Sequence, residues 1–91
     1  MARKKFTKEE IASIIRGEIA EQVGQNAAGI TNEKTFKADL DFDVLDHVEL
    51  IMGIEGKFGV EFRDEITDQE TVGGLINYVT ENLEKEGMVE A

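Results

Sequence analysis

Three stretches of the chain carry apolar residues at the spacing of about 3.6 positions that places them on one face of an α-helix. The first stretch follows Thr7, whose hydroxyl can cap a helix while Glu10 completes a capping box. Gly24 then favours a stop, because glycine readily adopts the left-handed backbone that ends many helices. The pattern predicts a first helix between Thr7 and Gly24. Its apolar positions are Ile11, Ile14, Ile15, Ile19 and Val23.

A second helix is predicted from Asp43 to about Phe58, with Gly59 ending it. Asp43 is a favourable N-cap, and Asp46 at the third helical position suits the positive end of the helix dipole. The arc predicted to face the core holds His47, Leu50, Ile51, Ile54 and Phe58. A neighbouring arc holds Val44, Leu45, Val48 and Met52, with Glu55 inside it and Glu49 just beyond it. Since this apolar surface is about twice as wide as one buried stripe requires, we expect the second arc to be exposed and to contact another molecule.

The last helix is predicted to begin after Thr71 and to bury Val72, Leu75, Ile76, Val79 and Leu83. Residues 25–43 lack a period and should form a long loop that Ile30, Phe36 and Leu40 hold to the core, while residues 60–67 should form one or two helical turns. The fold class is therefore all-α, a bundle of three main helices and one minor helix. Residues 1–6 are expected to be a flexible basic N-terminus, residues 7–84 the bundle, and residues 85–91 a frayed tail.

The acidic charge of the chain is concentrated around the second helix. Ten Lys and Arg against twenty Asp and Glu give a formal net charge of −10. Residues 1–38 contain seven basic and five acidic residues, residues 39–70 two and eleven, and residues 71–91 one and four. Charge of this sign repels nucleic acid and attracts proteins with basic faces. The overlap of charge with the spare apolar arc predicts a surface that binds a protein partner.

Composition excludes several other classes. Without cysteine the chain has no disulfide, no thiolate nucleophile and no zinc site of the cysteine type. No apolar run approaches the roughly 20 residues that span a bilayer, so we expect no membrane insertion and a cytoplasmic location. We also expect a monomer. The only histidine, His47, lies on the buried arc, and no second catalytic group accompanies it, so we do not expect an enzyme.

Alternate carboxylates at Asp39, Asp41 and Asp43 are similar to the opening of an EF-hand calcium loop. The sixth position of such a loop would be Val44, where glycine is needed, and the twelfth would be Leu50, where glutamate is needed. A dedicated calcium loop is therefore not expected. An acidic protein that binds divalent cations weakly through clustered carboxylates remains an alternative.

Residues 39–52, Asp39-Leu40-Asp41-Phe42-Asp43-Val44-Leu45-Asp46-His47-Val48-Glu49-Leu50-Ile51-Met52, resemble the signature of acyl carrier proteins. In that family a leucine-containing loop leads into Asp-Ser-Leu at the start of the second helix, and a Val-Glu-Leu run follows. The resemblance covers roughly residues 7–83. It implies an acyl-carrier-protein-like four-helix bundle with a long first loop and a short third helix, and a role in fatty acid, lipid or polyketide biosynthesis.

The chain departs from this signature at the position that bears the prosthetic group. Val44 stands where the family has the serine that accepts 4′-phosphopantetheine, and the only serine, Ser13, lies in the first predicted helix. The resemblance therefore implies no cofactor in this form, with 4′-phosphopantetheine expected only if residue 44 were serine. Two explanations remain open: a carrier whose serine has been replaced, by engineering or drift, or a natural non-carrier interaction module that uses the same face.

The resemblance also implies which residues bind partners, namely phosphopantetheinyl transferase and the enzymes of fatty acid or polyketide synthesis. The partner-binding residues it indicates are Asp43, Leu45, Asp46, Val48, Glu49, Met52, Glu55 and Asp64. A second set forms the core and, in the family, also lines the pocket that shelters an acyl chain. This set comprises Phe36, Leu40, Leu50, Ile51, Ile54, Phe58, Phe62 and Val72.

Overall fold

The computed structural model describes residues 4–90, which fold into three packed α-helices. These are α1 (Lys8–Val23), α2 (Val44–Phe58) and α3 (Val72–Lys85), with short 3₁₀ helices at Ala27–Gly29 and Asp64–Asp68. Helix α1 packs against both α2 and α3. Within residues 4–90 there is no strand, only two isolated β-bridges. The all-α fold predicted from the sequence is confirmed, with the Asp64–Asp68 turn at the place of the minor helix.

The helix ends follow the capping signals in the sequence. The Thr7 hydroxyl accepts a hydrogen bond from the Glu10 N–H at 3.1 Å, and Glu10 Oε1 accepts one from the Thr7 N–H at 2.8 Å. These bonds satisfy two N–H groups that have no partner within the helix. Gly24 and Gly59 both have φ of 71°, the left-handed conformation that glycine adopts without steric cost. The predicted limits of α1 and α2 are therefore confirmed.

The predicted faces of the helices form one apolar core. The predicted loop anchors Ile30, Phe36 and Leu40 are buried as well, which confirms that the long loop is held to the bundle. In α1, by contrast, Ile14 and Val23 are only partly buried. The buried residues are Phe6, Ile11, Ile15, Ile19, Ala20, Ile30, Phe36, Leu40, Phe42, Leu50, Ile54, Phe58, Ile66, Val72, Leu75, Ile76, Val79, Leu83 and Met88.

The long loop between α1 and α2 runs antiparallel to the segment that starts α3, with Thr35 bridged to Thr71. Loop carbonyls accept bonds from N–H groups in the first turn of α3, which would otherwise lack partners. A Cβ atom at Gly73 would lie 3.0 Å from Asn32 Cβ, so this close approach favours glycine. Three bonds of 3.0 Å join the segments, from Phe36 N–H to Glu70 O, Val72 N–H to Lys34 O and Gly73 N–H to Asn32 O.

The chain ends differ from the expectation of a flexible N-terminus and a frayed tail. Residues 1–3 and 91 lie outside the described residues, but Phe6 and Met88 are both buried. The Phe6 N–H donates to Met88 O and the Glu90 N–H donates to Phe6 O, both at 2.8 Å. We call residues 6 and 88–90 the terminal bridge. Local periodicity could not predict it, because the residues that meet lie at opposite ends of the chain.

Candidate functional site

The outer face of α2 exposes four apolar side chains. Val44 is 80% exposed, Leu45 64%, Val48 44% and Met52 65%. Single exposed apolar residues are common on protein surfaces, but four within nine consecutive residues of one helix form a patch that water solvates poorly. Their predicted exposure is confirmed. We call these four residues the α2 patch.

Two aspartates complete a capping box at the start of α2. The Asp46 N–H donates to Asp43 Oδ1 and the Asp43 N–H donates to Asp46 Oδ2, both at 2.9 Å. The hydrogen bond from the Asp46 backbone is the main cause that lowers the pKa of Asp43. Both charges also lie at the positive end of the helix dipole. Asp43 and Asp46 therefore place negative charge beside the α2 patch, and their carboxylates also cap the first turn of the helix.

Val44 is the first residue of α2 and the most exposed member of the patch. Its side chain is an isopropyl group, which has no oxygen with which to form a phosphodiester. The adjacent side-chain oxygens belong to the carboxylates of Asp43 and Asp46, which accept the capping bonds. Ser13 is exposed within α1, on a different helix from Val44.

Three aromatic rings contact one another near the start of α2. The ring centroids of Phe36, Phe42 and His47 are 5.3 Å apart in each of the three pairs. Phe36 and Phe42 are buried, and His47 is half-buried rather than fully inside the core. We call these residues the ring cluster. The sequence predicted Phe36 as a loop anchor and placed His47 on the buried arc, but it gave no signal that these rings contact each other or Phe42.

Side chains from α1 and the long loop also hold the start of α2 in place. Gln22 of α1 donates from Nε2 to the backbone oxygen of Asp46 at 2.8 Å. Before the helix, Asp41 adopts a left-handed conformation with φ of 57°, which aspartate tolerates better than most residues. Asp39 accepts a bond from the Thr35 N–H at 2.8 Å, and this backbone bond is the main cause that lowers the pKa of Asp39. The start of α2, which bears the α2 patch, is therefore hydrogen-bonded to α1, and the loop before it has hydrogen bonds of its own.

The residues predicted to bind partners do not all have the same surroundings. Asp46 and Glu55 are half-buried, and Glu55 Oε2 accepts a hydrogen bond from the Phe62 N–H at 2.8 Å. Glu55 therefore has a structural role at the end of α2, which the sequence did not predict. The exposed members of the set are Asp43, Leu45, Val48, Glu49, Met52 and Asp64.

The residues predicted to form the core and acyl pocket all lie in the apolar interior or against it. Ile51 and Phe62 are partly buried and pack against the core. The buried members of the set are Phe36, Leu40, Leu50, Ile54, Phe58 and Val72. Six of the eight are therefore core residues and two pack against the core, whereas their relation to an acyl chain stays a prediction.

Residues 4–90 contain neither a metal-binding cluster nor a membrane-spanning helix. No cluster of three or more histidine or acidic side chains there is arranged to hold a metal ion. None of the helices in this part of the chain combines the length and apolar character needed to cross a membrane.

Known proteins resemble this chain over most of its length. A family model described as a phosphopantetheine attachment site matches residues 13–79. The acyl carrier protein of Exiguobacterium sp. strain AT1b is 37% identical over 79 residues, covering 86% of this chain and 100% of the relative. Those of Helicobacter pylori strains G27 and HPAG1 are each 46% identical over 69 residues, covering 75% of this chain and 88% of theirs. The structure of the acyl carrier protein from Enterococcus faecalis matches with a TM-score of 0.71 and 29% identity, covering 85% of this chain and 99% of that chain.

Proposed function

This chain belongs to the acyl carrier protein family, and we propose on that premise that it docks onto enzymes of acyl metabolism without carrying 4′-phosphopantetheine. Acyl carrier proteins are carriers and not enzymes, which confirms the expectation that the chain is not an enzyme. The observation that carries the proposal is Val44, an exposed isopropyl group at the first position of α2. The family signature has its attachment serine at this position.

The absence of an attachment atom argues against a cargo-carrying role for this form. 4′-Phosphopantetheine is linked to proteins through a phosphodiester, which needs a hydroxyl oxygen, and Val44 has none. Around it the elements of the signature are retained, because Asp43 and Asp46 cap the helix and Leu45 is exposed beside them. The chain thus keeps the surroundings of the attachment position without its reactive group.

The α2 patch supports a role in docking. Contact with a partner would remove the four apolar side chains from water, at roughly 25 cal/mol for each Å² buried. Exposed ion pairs contribute about 1 kcal/mol at most, so the surrounding carboxylates mainly raise the association rate and make it sensitive to salt. We propose partners with basic faces, namely phosphopantetheinyl transferase and enzymes of fatty acid or polyketide synthesis.

We further propose that the protein works as a cytoplasmic monomer. Two copies that met through their α2 patches would bring together the segments that hold eleven acidic and two basic residues each. Like charges at that density repel one another, whereas a basic partner relieves the repulsion.

A second candidate function is that of a carrier whose serine has been replaced. The intact capping box around residue 44 supports it, because that local geometry suits an attachment site as well as a docking site. In that case the Val44→Ser change alone should restore a working carrier. In the proposed role, Val44 is itself a contact residue.

The proposal is tested by incubating the protein with coenzyme A and a phosphopantetheinyl transferase, followed by intact-mass measurement. The unaltered chain should gain no mass, whereas Val44→Ser should gain one phosphopantetheine group. Val44→Ser combined with Ser13→Ala should also gain it, which assigns the modification to residue 44. The unaltered chain should nevertheless bind the transferase in a titration. Modification of the unaltered chain, or no binding at all, would contradict the proposal.

A further inference from the structure

The ring cluster adjoins the exposed residue 44 along the chain. Phe42 lies two residues before Val44, and His47 lies one turn after it on α2. Phe36, on the long loop, contacts both rings, and all three centroid distances are 5.3 Å. Val44 itself is 80% exposed. Phe42 and His47 therefore flank in sequence the position at which the family signature places its attachment serine, and their rings contact each other.

The two phenylalanine rings of the cluster are tightly packed. Phe36 is 2% exposed and Phe42 is 8% exposed. The Phe42 N–H also donates to Phe36 O at 2.8 Å, and this bond joins two parts of the long loop that carry rings of the cluster. Both phenylalanines belong to the same buried cluster as Leu50 and Ile54 of α2. A ring in this position cannot move aside without exposing its own apolar surface to water.

Two surface clefts of the molecule are lined by residues outside this cluster. One, of about 480 Å³, lies between the segment that joins α2 to α3 and α3 itself, beside Phe62 and Tyr78. Another, of about 540 Å³, lies between Thr7 and Val89 at the terminal bridge. Neither is lined by a residue of the ring cluster or of the α2 patch.

From this packing we infer that an alkyl chain attached at residue 44 stays outside the bundle, because Phe36, Phe42 and His47 close the way to Leu50 and Ile54. Protein interiors are packed to the density of organic crystals, so an added chain needs a space that the rings already fill. The inference deepens the proposed function, since a docking protein without cargo needs no space for cargo. It also distinguishes the two candidate functions. A serine at residue 44 would restore the attachment site for 4′-phosphopantetheine, but the bundle would still not enclose an attached acyl chain.

The absence of cysteine allows a test that needs neither a transferase nor a partner. Val44→Cys introduces a unique thiol, and octyl methanethiosulfonate converts it to an octyl disulfide as the thiolate displaces methanesulfinate. The methyl reagent gives a matched adduct with a chain too short to reach the core. With the ring cluster intact, the two adducts should melt within about 1 °C of each other. The NMR signals of the Leu50 and Ile54 methyl groups should coincide as well.

Removing one ring from the ring cluster provides the contrasting measurement. In Val44→Cys/Phe42→Ala, the octyl adduct should melt roughly 4 °C or more above the methyl adduct, because the chain can fill the vacated space. The Leu50 and Ile54 signals should then shift. Val44→Cys/His47→Ala serves the same purpose with a half-buried ring, should Phe42→Ala fail to fold.

Two results would overturn the inference. One is stabilisation by the octyl group, or shifted core signals, while all three rings are present. The other is no difference between the octyl and methyl adducts in a folded variant from which a ring has been removed. Neither result depends on whether Val44→Ser is modified or the protein docks, so a failure here is distinguishable from a failure of the proposed function.

Discussion

Phe6 packs edge-to-face against Phe58, with ring centroids 4.9 Å apart and ring planes 81° apart, and thereby joins the N-terminal segment to the end of α2. The backbone of Phe6 is bonded to Met88 and Glu90 at the same time. One residue therefore connects both ends of the chain to the helix that bears the candidate site. The terminal bridge lies outside residues 13–79, the part that the family model matches.

Phe6→Ala should lower the free energy of unfolding by about 3 to 5 kcal/mol, the usual range for truncating a buried phenylalanine. The loss combines the buried area of the ring and its contact with Phe58. Urea denaturation followed by circular dichroism measures it. Phe62→Ala is a suitable control, because Phe62 is only partly buried and should lose less. A Phe6→Ala loss smaller than that of the control would show that the terminal bridge contributes little.

Glu49→Lys should slow association with a basic partner such as phosphopantetheinyl transferase by several-fold at low salt. Glu49 is exposed on α2, and reversing its charge removes part of the field that attracts basic side chains. The rate should also become less sensitive to added salt. Stopped-flow measurements over a range of NaCl concentrations test both effects. Glu81→Lys makes the same change of charge at an exposed position on α3 beside Lys8 and should slow association less. Equal slowing by both variants would indicate an effect of net charge rather than of α2.

Met52→Ala should leave the free energy of unfolding within about 0.5 kcal/mol of the original, because the side chain is 65% exposed. It should nevertheless speed dissociation from a partner by about tenfold, the effect of truncating a central contact residue. Surface plasmon resonance and urea denaturation together separate the two quantities. Ile54→Ala, at a fully buried position of the same helix, should show the opposite behaviour and lose about 2 to 5 kcal/mol of stability. An unchanged dissociation rate for Met52→Ala would remove this residue from the proposed docking surface.

Asp43 should make the stability of the fold depend on acid pH. Its pKa is lowered in the folded state, so its contribution is fully present above the ordinary value of 3.8 and is lost as pH falls through the lowered value. Asp43→Asn keeps a side-chain oxygen that can cap α2 but does not titrate. Unfolding free energies measured between about pH 2 and pH 7 should therefore fall less steeply in acid for this variant than for the original. Parallel curves would mean that other carboxylates account for the acid sensitivity.

The ends of the helices, their buried faces and the exposed apolar arc of α2 were predictable because each depends on residues a few positions apart. Thr7 with Glu10 defines one helix start, and Asp43 begins another. Val48 and Met52 could be placed outward from the helical period alone. The sequence also shows directly that residue 44 lacks an oxygen. Each of these features depends on residues close together in the sequence, so the spacing of residue types is enough to predict it.

The surroundings of the site depended on contacts between residues far apart in the chain. Only the tertiary structure placed Phe36 against Phe42 and His47, joined Phe6 to Met88, and bonded Glu55 to the backbone of Phe62. A helical period indicates which side of a helix is apolar, but it does not indicate which distant side chain will cover that side. The sequence by itself thus determined the helices and the chemistry exposed on α2. Tertiary packing decided how the two ends of the chain are joined and which rings meet near the start of α2, because those outcomes depend on which surfaces meet when the helices pack.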